Sequence, residues 1–187
     1  MENHNQIEVK TKGKNLVRNL LEWAIAIGIA LLAFFLFTTF VAKSSIITGP
    51  SMEPTYQNRD RVIINRIIYR FTEPRLGDVI AFPYAADPGL QYIKRIVGMP
   101  GDVMDMRGGF VYRNDTRLDD DFSTGPVMHG NAAFPLVVEE GRFFVLGDNR
   151  AISEDSRFTD VGNVPREDII GRVSFRWFPF NRFGAVE

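Results

Sequence analysis

Twenty consecutive residues, Trp23 to Ala42, carry no charged side chain. Built as a helix at about 1.5 Å per residue they reach about 30 Å, the thickness of a bilayer's hydrocarbon core. Phe34-Phe35-Leu36-Phe37 and the surrounding Ile, Leu and Ala residues leave no polar stripe, whereas a helix lying in the membrane interface needs one. The sequence therefore predicts a single transmembrane anchor over 20–42, a cytoplasmic tail over 1–19 and one extracytoplasmic domain over 43–187. The orientation follows from charge. Lys10, Lys12, Lys14 and Arg18 lie upstream, against Lys43 alone on the near downstream side, and basic residues stay in the cytoplasm. A cleaved secretion signal is the rival reading. Its apolar core runs about 7–15 residues and ends at a small-residue site, which Val41-Ala42-Lys43 matches poorly.

Composition narrows the chemistry. The 187 residues allow an anchor and one compact domain. A formal charge of −1 argues against a nucleic-acid partner, which needs a basic face. Cysteine is absent, which excludes disulfides, thiol nucleophiles and cysteine–metal sites. The histidines are His4 and His129, with no HExxH, so a three-histidine zinc site is excluded. His4 falls on the cytoplasmic side of the predicted anchor, which leaves His129 for any histidine chemistry in the outer domain. No metal or cofactor is expected.

Beyond Ser44 the chain reads mainly as β-strands. Arg61 to Tyr69 is rich in β-branched residues, Asp78 to Phe82 ends at Pro83, and Leu90 to Val97 runs into the turn Pro100-Gly101-Asp102. Val103 to Met106 and Phe110 to Arg113 form a hairpin pattern across Gly108-Gly109. Arg142 to Leu146 and Arg172 to Phe178 are further strands, and Pro165 opens a short helical turn. Residues 103–143 read as a small inserted hairpin and loop region, with Asn114 to Glu140 as its irregular part. Asp119-Asp120-Asp121 within it lacks the alternating ligands of a calcium loop and reads as a solvated charge run. The aromatic stretch Phe175 to Phe180 is expected to be buried in the β core, with insertion in the membrane interface as the alternative. The fold class is mainly β, on one N-terminal transmembrane helix.

Three stretches carry the chemistry. In Gly49-Pro50-Ser51-Met52-Glu53-Pro54, glycine allows an unusual backbone angle and proline stiffens the approach. Such a turn can hold the Ser51 hydroxyl out and aim its N–H at a developing oxyanion. It is also ordinary turn composition. A serine nucleophile needs a base, and with histidine nearly excluded lysine is the candidate. In water, with a pKa near 10.4, only about one lysine in two thousand is neutral at pH 7. Desolvation lowers that pKa. Lys94 sits among Tyr92, Ile93, Ile96 and Val97 on a strand expected to be buried. A fall of about two and a half pKa units contributes about 3.4 kcal/mol toward the free amine. The bland alternative is a lysine snorkelling from a sheet edge. Arg95 stays charged and on a strand faces away from Lys94, outward or paired. In the third stretch Asp155 and Arg157 lie two apart and pair if extended, with Ser153 on the same face to orient the lysine amine. Gly147-Asp148-Asn149 reads as a tight turn with local side-chain bonds.

Taken in order, these segments resemble the type I signal (leader) peptidases, the S26 family of serine proteases. The resemblance spans the anchor, Gly49 to Thr55, Gly77-Asp78-Val79, Tyr92 to Asp102 and Gly147 to Arg157. It implies a signal-peptidase-like β domain in which Ser51 is the nucleophile, Lys94 the general base, Ser153 the hydroxyl that positions the lysine, and Asp155 with Arg157 the supporting ion pair. Gly49 departs from those members that place a serine there to donate to the oxyanion. The implied substrates are secreted preproteins with small residues at −3 and −1, cut at the bacterial cytoplasmic membrane in contact with the lipid bilayer and the secretion machinery. An extended peptide can add as a strand beside Ile46–Gly49 and Gln91–Ile93. Ile47, Gly49, Met52, Tyr56, Tyr92 and Ile93 are the candidate substrate-binding residues, each of the large ones equally a core residue by type. Two rivals remain at this level: a Ser-Lys processing protease with a narrow substrate, and a catalytically silent peptide-binding membrane module.

Overall fold

The computed structural model describes residues 2–36, 38, 41–118, 122–124 and 127–186, with the side chains of 2–17 outside the description. Asp119, Asp120 and Asp121, and with them the charge run, lie outside the described residues. The chain divides into two compact units, Met1–Val41 and Ala42–Glu187. The first is helix α1, Glu2–Leu36. Its stretch Arg18–Leu36 has a mean hydropathy of 2.1 and no buried residue, long and apolar enough to cross a membrane. The apolar run outlasts this helix: Ala42 already opens the first strand.

The second unit is mainly β. Its strands are β1 Ala42–Ile46, β2 Arg61–Asn65, β3 Val79–Tyr84, β4 Asp87–Gly98, β5 Val103–Arg107, β6 Phe110–Arg113, β7 Thr116–Arg117, β8 Leu136–Val137, β9 Arg142–Leu146, β10 Val164–Pro165, β11 Gly171–Phe178 and β12 Gly184–Ala185. Among the described residues the larger sheet runs β1-β2-β11-β3-β4-β9-β10, with β12 added to β11, and the smaller runs β7-β6-β5-β8. All the strand pairs are antiparallel. The larger sheet curls, so that its β1 edge approaches the outer half of β4, and Lys43 Nζ donates to Gln91 Oε1 at 3.4 Å across the gap. Ile47, Met52, Tyr56, Val62, Ile64, Val79, Ala81 and Val173 fill one face of this curl. Tyr69, Ile80, Phe82, Ile96, Phe143, Val145, Val164 and Ile169 fill the other.

The long strand β4 decides where the site lies. Its last five residues, Lys94–Gly98, are all buried. There β4 is paired on both sides, Val79↔Arg95 with β3 and Arg95↔Leu146 with β9. Among the described residues Gln91, Tyr92 and Ile93 pair only with β3, so their other edge, like that of β1, is open to a further strand.

Several boundaries differ from the sequence reading. The strand expected over Arg61 to Tyr69 stops at Asn65, whose Oδ1 accepts from the N–H groups of Ile67 and Ile68 and turns the chain into a 3-10 turn at Ile68–Arg70. Strand β3 continues through Pro83 to Tyr84. The proline is tolerated because its partner Gln91 lies on one side while β11 reaches only to Ala81 on the other. The hairpin across Gly108 and Gly109 forms as expected, both glycines having positive φ (58° and 81°). The aromatic stretch at the end of β11 and just beyond it is not core: Phe178 is 40% and Phe180, in the turn that follows, 75% exposed. A register irregularity between Arg176 and Phe178 turns the strand off the packed face there.

Candidate active site

Ser51 lies in the turn that follows β1. Gly49 holds φ at +88°, a conformation that glycine adopts freely, and its N–H donates to Asn58 Oδ1 at 3.1 Å. Tyr56 N–H then donates to Met52 O at 2.8 Å, closing the turn. The Ser51 carbonyl accepts from the Asn149 N–H at 3.1 Å. This docks the turn against the third stretch. At that contact a Cβ on Gly147 would collide with both the Ser51 carbonyl and the Ser153 hydroxyl, so only glycine permits the two segments to meet.

Lys94 is 4% exposed and shares its face of β4 with Tyr92 and Ile96. Its Nζ lies 5.1 Å from the Tyr92 ring centroid. Burial, the largest influence, lowers its pKa from 10.5 to about 8; Asp155 opposes this and Arg157 reinforces it. At that value about one amine in ten is neutral at pH 7. Ser51 and Lys94 line one cavity of about 260 Å³, with walls from Ile47, Gly49, Met52, Gln91, Tyr92 and Ile93, and Ile152 and Glu154 on a further side.

The third stretch is held by two buried ion pairs. Arg157 Nε donates to Asp155 Oδ1 at 2.7 Å and Nη2 to Oδ2 at 2.8 Å, both side chains fully enclosed. The sequence reading had them pair along an extended backbone. They pair instead through a turn, in which Arg157 also donates to the carbonyls of Met128, Arg150 and Ser153. Asp155 Oδ2 in turn accepts from the Gly147 N–H at 3.0 Å. Asp148 was expected to make local bonds. It reaches across the fold instead, taking Arg95 Nε and Nη2 at 2.9 Å each and Thr55 Oγ1 at 2.5 Å. Arg95 is thus paired and 1% exposed. It is buried on the face opposite Lys94 because β4 is covered on both sides there.

Of the sequence-derived residues, Ser51, Lys94, Ile47, Gly49, Met52, Tyr92 and Ile93 meet at the cavity. Tyr56 does not: it is fully buried in the core beneath the turn, where desolvation pushes its phenol pKa up. Ser153 is 3% exposed, beside Gly147. Its hydroxyl has no hydrogen-bond partner among the described residues, so the bond to Lys94 expected of it is not made here. The sequence reading missed Ile152 and Glu154 as wall residues. They lie among the supporting residues, Ile152 and Glu154 exposed where Ser153 and Asp155 are buried.

The signal peptidase family, peptidase S26, matches residues 20–178. Signal peptidase I of Leptolyngbya laminosa is 39% identical over 174 residues, covering 89% of this chain and 84% of that protein. Signal peptidase IB of Staphylococcus aureus is 31% identical over 182 residues, covering 89% and 93%. A crystal structure of a signal peptidase I from Enterococcus faecalis V583 matches 54% of this chain and 97% of that one at 30% identity, with a TM-score of 0.44. The chain belongs to the signal peptidase family S26. It is a mainly β peptidase, and removal of signal peptides by a serine protease is the activity that membership carries.

Proposed function

We propose that the chain is a membrane-anchored endopeptidase that cuts preproteins through a Ser51–Lys94 dyad. The observation that carries the reading is a lysine 4% exposed, lining one cavity with a serine on a constrained turn. Neutral Lys94 takes the Ser51 hydroxyl proton while Oγ attacks the carbonyl carbon of the −1 residue. The resulting ammonium gives its proton to the departing amine, which leaves an ester on Ser51. Lys94, neutral again, draws a proton from water as that water attacks the ester. A fourth proton transfer, from Lys94 to Ser51 Oγ, restores both groups and frees the signal peptide. The Ser51 N–H supplies an oxyanion donor; Gly49 supplies no side chain for a second.

In this reading Asp155 and Arg157 brace the turn that carries Ser153, and the enclosed Ser153 hydroxyl orients the amine once the substrate closes the cavity. The open edges of β1 and of Gln91–Ile93 receive the substrate as an added strand, with Ile47, Met52, Tyr92 and Ile93 limiting the −1 and −3 side chains to small ones. Helix α1 anchors the enzyme with its N-terminus in the cytoplasm and 43–187 outside, in reach of the bilayer and the export machinery. Replacement of Lys94 by Met tests the dyad: preprotein cleavage is lost with the domain still folded. A variant that cleaves at the wild-type rate would refute it.

A further inference from the structure

The cavity wall carries one fixed charge that the dyad does not use. Among the described lining residues, Lys94 and Glu154 are the ones that can be charged, and the dyad works with Lys94 neutral. Glu154 is exposed at the mouth, and its Oε2 accepts from the Tyr92 hydroxyl at 3.1 Å. Tyr92 in turn stacks on Tyr84 with centroids 4.6 Å apart and planes 9° from parallel. The Tyr84 hydroxyl donates to Asp160 Oδ2 at 2.6 Å. Two carboxylates thus flank a stacked aromatic pair that begins two residues from Lys94. Carboxylates and ring faces both attract cations. The tyrosine bond fixes Glu154 in place, so little side-chain freedom is lost when a cation meets it.

We propose that Glu154 is a specificity-determining residue that favours a lysine or arginine in the substrate next to the −1 residue, at −2 or +1, and disfavours an acid there. Small side chains at −1 and −3 face the apolar walls, and a neighbour on an extended chain points the other way. Glu154 and Ile152 come from the loop after Asn149, separate from the β1 and β4 walls. This inference rests on the proposed cleavage reaction.

The test uses the full-length enzyme in detergent micelles and one preprotein carrying Ala, Lys or Glu at −2, and separately at +1. The readout is the ratio of kcat/KM for Lys over Glu, in which any uniform change in activity cancels. The wild type prefers Lys at one of the two positions by about three- to tenfold, the range of an exposed ion pair plus the matching repulsion. Glu154→Gln brings that ratio to near one, Glu154→Lys inverts it, and added salt shrinks the wild-type preference. A wild type without preference, or a ratio untouched by both substitutions while the Ala substrate is cut, overturns the inference and leaves the proposed reaction standing. Failure of the wild type to cut any of the substrates overturns the proposed reaction, and this inference with it.

Discussion

Lys94 is the residue on which stability and the proposed chemistry pull against each other. Burial lowers the pKa of its amine from the ordinary 10.5 to about 8. Between these values the unfolded chain binds more protons than the native one, so stability rises with pH through that window. The penalty is fully present below about pH 8 and gone above the ordinary value. Lys94→Met removes it: the variant is expected to resist urea by about 3 kcal/mol more than the wild type at pH 7. The difference closes as the pH passes the ordinary lysine value, and urea titrations at the two pH values check this. Under the proposed dyad, activity follows the same ionisation. kcat/KM is expected to rise about tenfold per pH unit up to the Lys94 pKa and then level off, whereas a histidine base would put that limb nearer 6.5. The residue types at this site were legible because few alternatives existed: no cysteine, and one histidine beyond the anchor. The state of Ser153 was not legible, since spacing places a hydroxyl near a site but cannot say whether its bond is made.

At the scale of elements, β4 and the loop at 147–157 act together. Arg95 and Asp148 join them through two bonds of 2.9 Å with side chains 2% and 1% exposed. Removing one partner strands the other as a buried charge, so Asp148→Ala is expected to cost about 3–5 kcal/mol by chemical denaturation. Replacing both by apolar residues of similar volume, Arg95→Met with Asp148→Leu, recovers most of that loss. Strand positions were readable from β-branched runs and from Gly108-Gly109, because those signals are local. The Arg95–Asp148 pair was not, because its members lie 53 residues apart and only the antiparallel pairing of β4 with β9 brings them together. Asn65 likewise ended a strand that composition alone would have continued, through side-chain bonds to Ile67 and Ile68.

At the scale of the molecule, the apolar helix and the β unit are separate compact bodies. Each of the β unit's core clusters is assembled from its own residues. A chain of residues 42–187 alone is therefore expected to fold, with a cooperative thermal transition by circular dichroism. It should cut soluble peptides at close to the full-length rate and membrane-bound preproteins more slowly. Protease added to the outer face of sealed vesicles of native orientation should reach the β unit and leave the N-terminal tail protected. Length and apolarity made the helix legible from the sequence. The curl of the larger sheet, which brings β1 against β4 and opens the cavity, was not, because it depends on the order β1-β2-β11-β3-β4 rather than on any one strand.

The most direct test is an NMR titration of the Lys94 side chain, isotopically labelled, in the full-length Ser51→Ala protein in micelles. The account predicts a midpoint near pH 8. A midpoint at the ordinary lysine value, near 10.4, would contradict it.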